Sequence, residues 1–553
     1  MPASPRRLRT LGRWTLYALN GLLVVALLAT AGLIALERTW VVPKTLDPAA
    51  AFDHGTIGTE VMPLAVALAL PELAPHHFQP AGRAAGDWVE QFGFLRRPDD
   101  PDGLPIGFVP THYRPKTAAP SPTPFVGFSC ALCHTTKIKT AEDEPGHLVT
   151  GPGSVSLNLF AWLDAFQATM LERVPLAAGD VFDPADPPAY RVTVDAIAEA
   201  FETVSGQELG IADRLMVGLW LGQIRATLEA GLPRFDDPYG NGRSRDPDVT
   251  PTGPTRTLAF RTLIRQVLDR PGNDLPIFTK IATVFRQDQR PRAQFDGGIG
   301  DLDARSSMAA FAAGATVVNM ANAEIAHNIR AASAYTTTLE GPPFRTLFPD
   351  AAADAPTLVT RGKAVYRTHC FACHGAPPAG GGAQWDKGER TDTVIALAEI
   401  GTDPERVLFR HYGELPGRMH ALFDKEHPFA FDRADVYPQK GEEADLSKRG
   451  YIAATIDGAY LRAPYLHNGS VLTLAELINL ERRRDVFFRG RNLYDTTRVG
   501  LASPRRADEK RYFRFDTSAP GNANTGHDYP WRFDDPARNE DDLKALLAYL
   551  KTI

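Results

Sequence analysis

All four cysteines of this 553-residue chain fall in two copies of one pattern, Cys130-Ala131-Leu132-Cys133-His134 and Cys370-Phe371-Ala372-Cys373-His374. Two thiols with two residues between them, followed at once by an imidazole, suit one chemistry closely. The sulfurs add to the two vinyl groups of a porphyrin, and the adjacent histidine turns a ring nitrogen to the iron. The pattern predicts two covalently bound haem c groups. Cys130, Cys133, Cys370 and Cys373 are their attachment points, and His134 and His374 the proximal iron ligands. Zinc ribbons and structural disulfides also use paired cysteines. Zinc knuckles lie within a few tens of residues of each other, whereas 236 residues lie between Cys133 and Cys370. Disulfides leave the histidine at the same offset in both copies unexplained.

Each iron has a sixth position. A filled one favours electron transfer, and an open one binds dioxygen or peroxide. After the second motif three side chains compete for it: Met419 in Pro416-Gly417-Arg418-Met419, His467 in Leu466-His467-Asn468-Gly469, and His527 in Gly526-His527-Asp528. Spacing alone does not rank them. Met308, Met320 and His327 are the candidates for the first iron. Peroxide cleavage also needs an acid–base group near the open face, and His112 and His147 flank the first motif.

Several elements must position these residues. Gly362, Tyr366 and Cys370 recur at steps of four, which places them on one face of a helix entering the second motif. The stretch from Asp541 to Leu550 reads as a short amphipathic helix with acids in its first turn. In cytochrome c domains the entry helix and the last helix cross, and Gly362 allows that approach. The first motif is approached by Phe125-Val126-Gly127-Phe128, apolar and without the Gly/Tyr spacing. Helical stretches are expected near 155–172, 192–231, 256–269 and 308–335, with Gly/Pro/Asp-rich loops at 236–242 and 296–300.

The expected fold is mainly α: two cytochrome c-like haem domains with long irregular loops, preceded by one N-terminal transmembrane helix. The divisions read as a basic cytoplasmic tail over 1–13, an anchor over 14–36, an enlarged N-terminal haem domain over 37–345 and a C-terminal cytochrome c domain over 346–553. Arg6, Arg7, Arg9 and Arg13 make the tail basic. The 23 apolar residues that follow rise about 1.5 Å each as a helix, enough for a hydrocarbon core of about 30 Å. The basic side stays in the cytoplasm. A single-pass protein of the bacterial inner membrane results, with its haem domains in the periplasm. The alternative is a signal peptide cleaved near Ala29-Thr30-Ala31, leaving a soluble periplasmic protein; the apolar run continues past that point to Leu36. A net charge of −6 argues against nucleic acid as a partner. The partners expected are periplasmic or membrane redox proteins as electron donor and acceptor, the inner membrane, and a small-molecule substrate.

The stretch from Tyr451 through Gly469 to Leu477, the stretch from Phe515-Asp516-Thr517 to His527, and Ile400-Gly401-Thr402-Asp403-Pro404 together resemble the C-terminal half of dihaem rubber oxygenases. Those enzymes are distant relatives of the bacterial dihaem cytochrome c peroxidases. The resemblance covers about residues 341–553 and, more loosely, Phe125–Thr135. It implies a bis-histidine C-terminal haem, with His527 of Gly521-Asn522-Ala523-Asn524-Thr525-Gly526-His527 as its distal ligand. It also implies a reactive N-terminal haem, five-coordinate in protein ligands, in an apolar pocket with room for dioxygen. Between about 180 and 340 the chain departs from the family pattern, so no substrate is carried over. Two functions follow. One is a haem-dependent oxidoreductase, peroxidase- or dioxygenase-like. The other is a pure electron carrier with both haems six-coordinate. A carrier needs about 100 residues per haem, and the first domain is about three times that size, which favours the enzyme.

Overall fold

The computed structural model describes residues 17, 19–29, 32, 44–78, 88–99, 103–174, 189–231, 250–257, 259–272, 275–379, 384–503 and 512–553. The basic tail, most of the flanks of the 14–36 run and the loop at 236–242 lie outside them. Among the described residues no helix is long and apolar enough to cross a membrane. Within the run, the large apolar side chains between Leu19 and Leu28 are all exposed, Leu22 at 68%.

Helices dominate, and their ends follow local chemistry. Asn158 caps the helix Leu159–Leu171 by accepting the Ala161 N–H. The stretch expected over 192–231 is two helices, Val194–Ser205 and Ile211–Gly231. Gly206 separates them because it adopts φ +68°, a left-handed stop that glycine takes without a Cβ penalty. The stretch expected over 308–335 is likewise divided: Asp301 caps Leu302–Ala312, Thr316 caps Val317–Met320 and Asn322 caps Ala323–Thr338.

The entry helix Pro356–His369 begins with proline in its first turn, where the missing N–H has no partner to lose. The last helix, Glu540–Leu550, is capped by Asn539 and carries three acids in its first turn. These two helices cross at Gly362. A Cβ there would stand 1.9 Å from the Ala545 carbonyl oxygen.

The first motif is delivered differently. The strand Pro120–Phe128 lies between Met62–Pro63 and Phe108–Tyr113 in a three-stranded antiparallel sheet, with Phe108 opposite Phe128 and Met62 opposite Val126. Ser121, Thr123 and Phe125 point inward while the prolines between them are half-buried. Behind this sheet an aromatic core forms. Trp162 stands edge-on to Phe94, with ring centroids 5.9 Å apart, and Phe108 lies against both Phe128 and Trp162. Such pairs add about 0.5–1.5 kcal/mol beyond the area they bury.

The two halves of the chain share cores. Ile138, Val149 and Phe285 pack with Phe344, Tyr460 and Leu546 in one cluster. Ile57, Phe260 and Met308 pack with Val407, Tyr412 and Met419 in another.

Candidate functional site

At the second motif the entry helix runs directly into a single turn, Phe371–His374. Tyr366 is fully buried, and its hydroxyl donates to the Gly375 carbonyl at 2.8 Å, which fixes the chain just past His374. His374 Nδ1 lies 2.8 Å from the Ala454 carbonyl oxygen. With the Nδ1 proton donated there, Nε2 is the nitrogen left for a metal, the usual arrangement of a ligating imidazole. Burial lowers the His374 pKa, so the ring stays neutral.

His527 comes from a loop held rigidly against the Ile400–Asp403 segment. Its N–H donates to the Ile400 carbonyl at 2.8 Å, and the Ala523 N–H donates to Asp403 Oδ2 at 3.0 Å. A Cβ at Gly526 would stand 2.2 Å from the Gly401 backbone carbon. His527 itself has φ +53°, a left-handed backbone that a non-glycine residue holds only when its surroundings fix it. Its Nδ1 is buried without a hydrogen-bond partner. Burial first, then the neighbouring His374 and Arg483, push its pKa down to about 3.

The structure brings His374 and His527 together. Their ring centroids are 6.1 Å apart. A metal held between two imidazole nitrogens at about 2 Å each sets the ring centres roughly 6 Å apart. The other two candidates are placed otherwise. His467 Nε2 lies 3.0 Å from the Tyr451 hydroxyl, and the two rings stack at 4.1 Å. Met419 is buried in Leu415–His420 within the core around Phe423, although it also reaches the cavity described below.

At the first motif the chain passes from the strand through a single turn, Ala131–His134, into the strand Thr135–Ile138. The Gly151 N–H donates to the His134 carbonyl and the Ser154 N–H to the Cys133 carbonyl, both at 2.8 Å. His134 Nδ1 makes no hydrogen bond of good geometry, although the Ala282 backbone partly offsets the burial that lowers its pKa to about 4. The four cysteines are free of disulfides. Burial pushes the Cys130, Cys133 and Cys370 thiols up to about 12.

One cavity of about 920 Å³ reaches both motifs, touching Cys130, Cys133 and His134 at one end and Cys370, Cys373, His374 and His527 at the other. Its charged lining is unbalanced. Among the described residues nine arginines and lysines line it with two carboxylates, Glu60 and Asp296, while Asp457 behind the wall pairs with Arg290 and Arg462. Asp296 is already engaged, by Arg406 Nη2 at 2.9 Å and the Tyr412 hydroxyl at 2.6 Å. Arg256, only 2% exposed, has both Nη atoms without hydrogen-bond partners. Its Nε donates to the Asn468 carbonyl at 3.0 Å, and its guanidinium lies over the rings of Phe278 and Phe515. Burial, with Arg462 and Arg489 nearby, lowers the Lys280 pKa well below its usual value. A buried guanidinium whose Nη atoms have no hydrogen-bond partner is costly, even with Asp403 nearby. A porphyrin bearing two propionates supplies a counter-charge, so the donor set fits the group that the cysteine motifs require.

Glu60 lines the same cavity and escaped the reading of the sequence. It lies in the chain before the sheet, with no motif around it. Thr56 Oγ1 donates to its Oε1 at 2.7 Å and Asn319 Nδ2 to its Oε2 at 3.2 Å. Burial raises its pKa. Of the residues expected to flank the first haem, His112 Nδ1 lies against the Ser121 carbonyl and His147 is exposed; neither lines the cavity. Met308 does, whereas Met320 sits in the core and His327 Nε2 lies 2.9 Å from the Leu46 carbonyl.

Comparison with known proteins bears on the C-terminal part of the chain. A family model described as RoxA-like, cytochrome c-like matches residues 450–488, and one described as cytochrome c oxidase, cbb3-type, subunit III matches residues 357–427. Residues 357–488 thus resemble c-type cytochrome domains, one of them RoxA-like, of the kind that carries covalently bound haem c. The resemblance points to haem-based redox chemistry. Two uncharacterised proteins of Sinorhizobium fredii are similar to this chain. One, y4iM, is 28% identical over 303 residues, 50% of this chain and 64% of that protein. The other, y4iJ, is 28% identical over 239 residues, 35% and 39% of the two chains. The chain therefore spans less than two thirds of either relative.

Proposed function

We propose that this is a dihaem c-type cytochrome of the bacterial inner membrane, anchored by residues 14–36 with its haem sites in the periplasm. Electrons from a periplasmic or membrane redox protein would enter through the C-terminal haem, and the N-terminal haem would supply the chemistry on peroxide or dioxygen. Cys370 and Cys373 hold the C-terminal haem, with His374 and His527 as its axial ligands. Cys130, Cys133 and His134 hold the N-terminal one. The observation that carries this reading is one cavity reaching both motifs, with the His374 and His527 imidazoles paired beside the second.

The chain's own groups have distinct tasks. Arg256, with both Nη atoms unpartnered, would bind negative charge in a dry site, where a fixed cation is worth far more than in water. The His374 Nδ1 proton, donated to Ala454, fixes the ring's orientation. Glu60 places a carboxyl, its pKa raised by burial, in the cavity wall, kept in place by Thr56 and Asn319. Reduction of one hydrogen peroxide to two waters takes two electrons from the redox partner and two protons, and Glu60 is positioned to relay the latter. Met308 in the cavity lining favours a second reading, a pure electron carrier in which that thioether fills the sixth position of the N-terminal iron.

An EPR and absorption spectrum of the full-length holoprotein separates the two. A high-spin ferric component that shifts with cyanide or peroxide supports the enzyme; two low-spin haems indifferent to both support the carrier. His527→Ala should turn the C-terminal haem high-spin. A variant spectrum identical to the parent's would remove His527 from the ligand set.

A further inference from the structure

We propose that His76, His77 and Glu172 form a binding site for a divalent transition-metal ion of the zinc type, separate from both haem motifs. His76 and His77 lie in the single-turn helix Pro75–Phe78, and Glu172 caps the C-terminal end of Leu159–Leu171. The two helices pack together. His76 Nε2 stands 3.2 Å from Glu172 Oε2, and His77 Nε2 stands 3.6 Å from the same oxygen. Donor atoms around a tetrahedral ion, with bonds of about 2.0–2.1 Å, are separated by roughly 3.4 Å. One donor atom from each residue falls within 4.8 Å of the others.

The carboxylate supplies a second, independent observation. Glu172 Oε2 is buried and accepts no hydrogen bond of good geometry, its polar neighbours being the two imidazole nitrogens. Its Oε1 is ion-paired with Arg191 Nε at 2.8 Å. One oxygen is therefore neutralised by a guanidinium while the other is aimed between two imidazole nitrogens. A metal ion there satisfies all three donors and leaves an outward position for water, beside the exposed His76. Two imidazoles with one carboxylate select zinc, copper or nickel over calcium or magnesium, which prefer oxygen alone. The ion would clip the Pro75–Phe78 turn to the long helix that carries Trp162.

The test uses the full-length holoprotein, freed of loose metal by a chelator; the covalently held haem iron stays as an internal standard. After equilibration with Zn²⁺ and desalting, elemental analysis should find one zinc per chain. His76→Ala and Glu172→Gln should each weaken zinc binding in calorimetry by about tenfold or more, with haem spectra unchanged. Zinc should raise the unfolding midpoint of the parent and not of the variants. Should the parent retain no more zinc than the doubly substituted His76→Ala/His77→Ala chain, the three residues are an ordinary histidine–carboxylate contact and the proposal is overturned. His76 is half-exposed, so its replacement leaves the fold intact for that comparison.

Discussion

Replacing Gly362 with alanine drives a methyl group into the backbone of the last helix. The new Cβ would stand 1.9 Å from the Ala545 carbonyl oxygen, 2.5 Å from that carbonyl's carbon and 2.9 Å from Tyr549 Cβ. Two of those three atoms are backbone, so no side-chain rotation relieves the overlap. The helices Pro356–His369 and Glu540–Leu550 must part by about 1.5 Å to restore ordinary contact, and a gap of roughly 0.5–1 Å already forfeits a quarter to a half of the dispersion attraction. Leu543, Leu546 and Tyr549 then lose their seat in the core they share with Val365 and Tyr366. Overpacking costs about 1–3 kcal/mol in ordinary cores, and the rigid obstacle puts this variant near ~3 kcal/mol, or about a hundredfold in the unfolding equilibrium. Gly417 is the control. It sits in the helix Leu415–His420 with nothing within 4 Å of its hypothetical Cβ, so Gly417→Ala should be neutral or gain up to about 1 kcal/mol of helix propensity. The assay is guanidinium unfolding of haem-matched preparations followed by far-ultraviolet circular dichroism. If Gly362→Ala unfolds at the same denaturant concentration as Gly417→Ala, the two helices do not meet as described.

Three further outcomes are expected. Glu60→Gln keeps the shape and loses the transferable proton, so peroxide turnover should fall by about 10² or more with the spectra unchanged; undiminished turnover would remove Glu60 from proton relay. Burial holds the His467 pKa well below 6.5 in the folded chain, so the unfolded chain binds one more proton below pH 6.5, and stability must drop as pH falls. The loss is about 1.4 kcal/mol per pH unit, and His467→Gln should flatten that slope between pH 6.5 and 5; an unchanged slope would refute it. Arg256→Met removes a buried positive charge from the cavity wall, which should lower a haem reduction potential in a spectroelectrochemical titration, and an unmoved potential would place the propionates elsewhere.

The sequence carried the covalent chemistry and the second site's scaffold in plain view. Cys-x-x-Cys-His is a local pattern, and the Gly362, Tyr366 and Cys370 spacing is a helical period, so both could be read without long-range information. Other features were harder. Pro120–Phe128 alternates buried and half-buried positions as a strand does, but three prolines masked that period, and the approach to the first motif was left without an element. The break at Gly206 disappeared inside a stretch that was otherwise apolar and helical. Glu60 and Arg256 carried no local signal, because each matters only through residues far away in the chain. Arg256 meets Asn468, and Asn319 reaches Glu60 across 259 positions. Of the histidines and methionines set out as axial candidates, only the folded loop around Ile400 separates His527 from the rest.

The excess of positive charge around the cavity bears on how this protein matures. Without its porphyrin the chain would have to keep Arg256 and Lys280 in a dry interior while leaving hundreds of cubic ångströms unfilled, and both penalties would fall on a core assembled from the two halves at once. Such a polypeptide has little reason to settle. Attachment of the proposed haem would relieve both penalties at once, so haem attachment and closure of the core should be coupled.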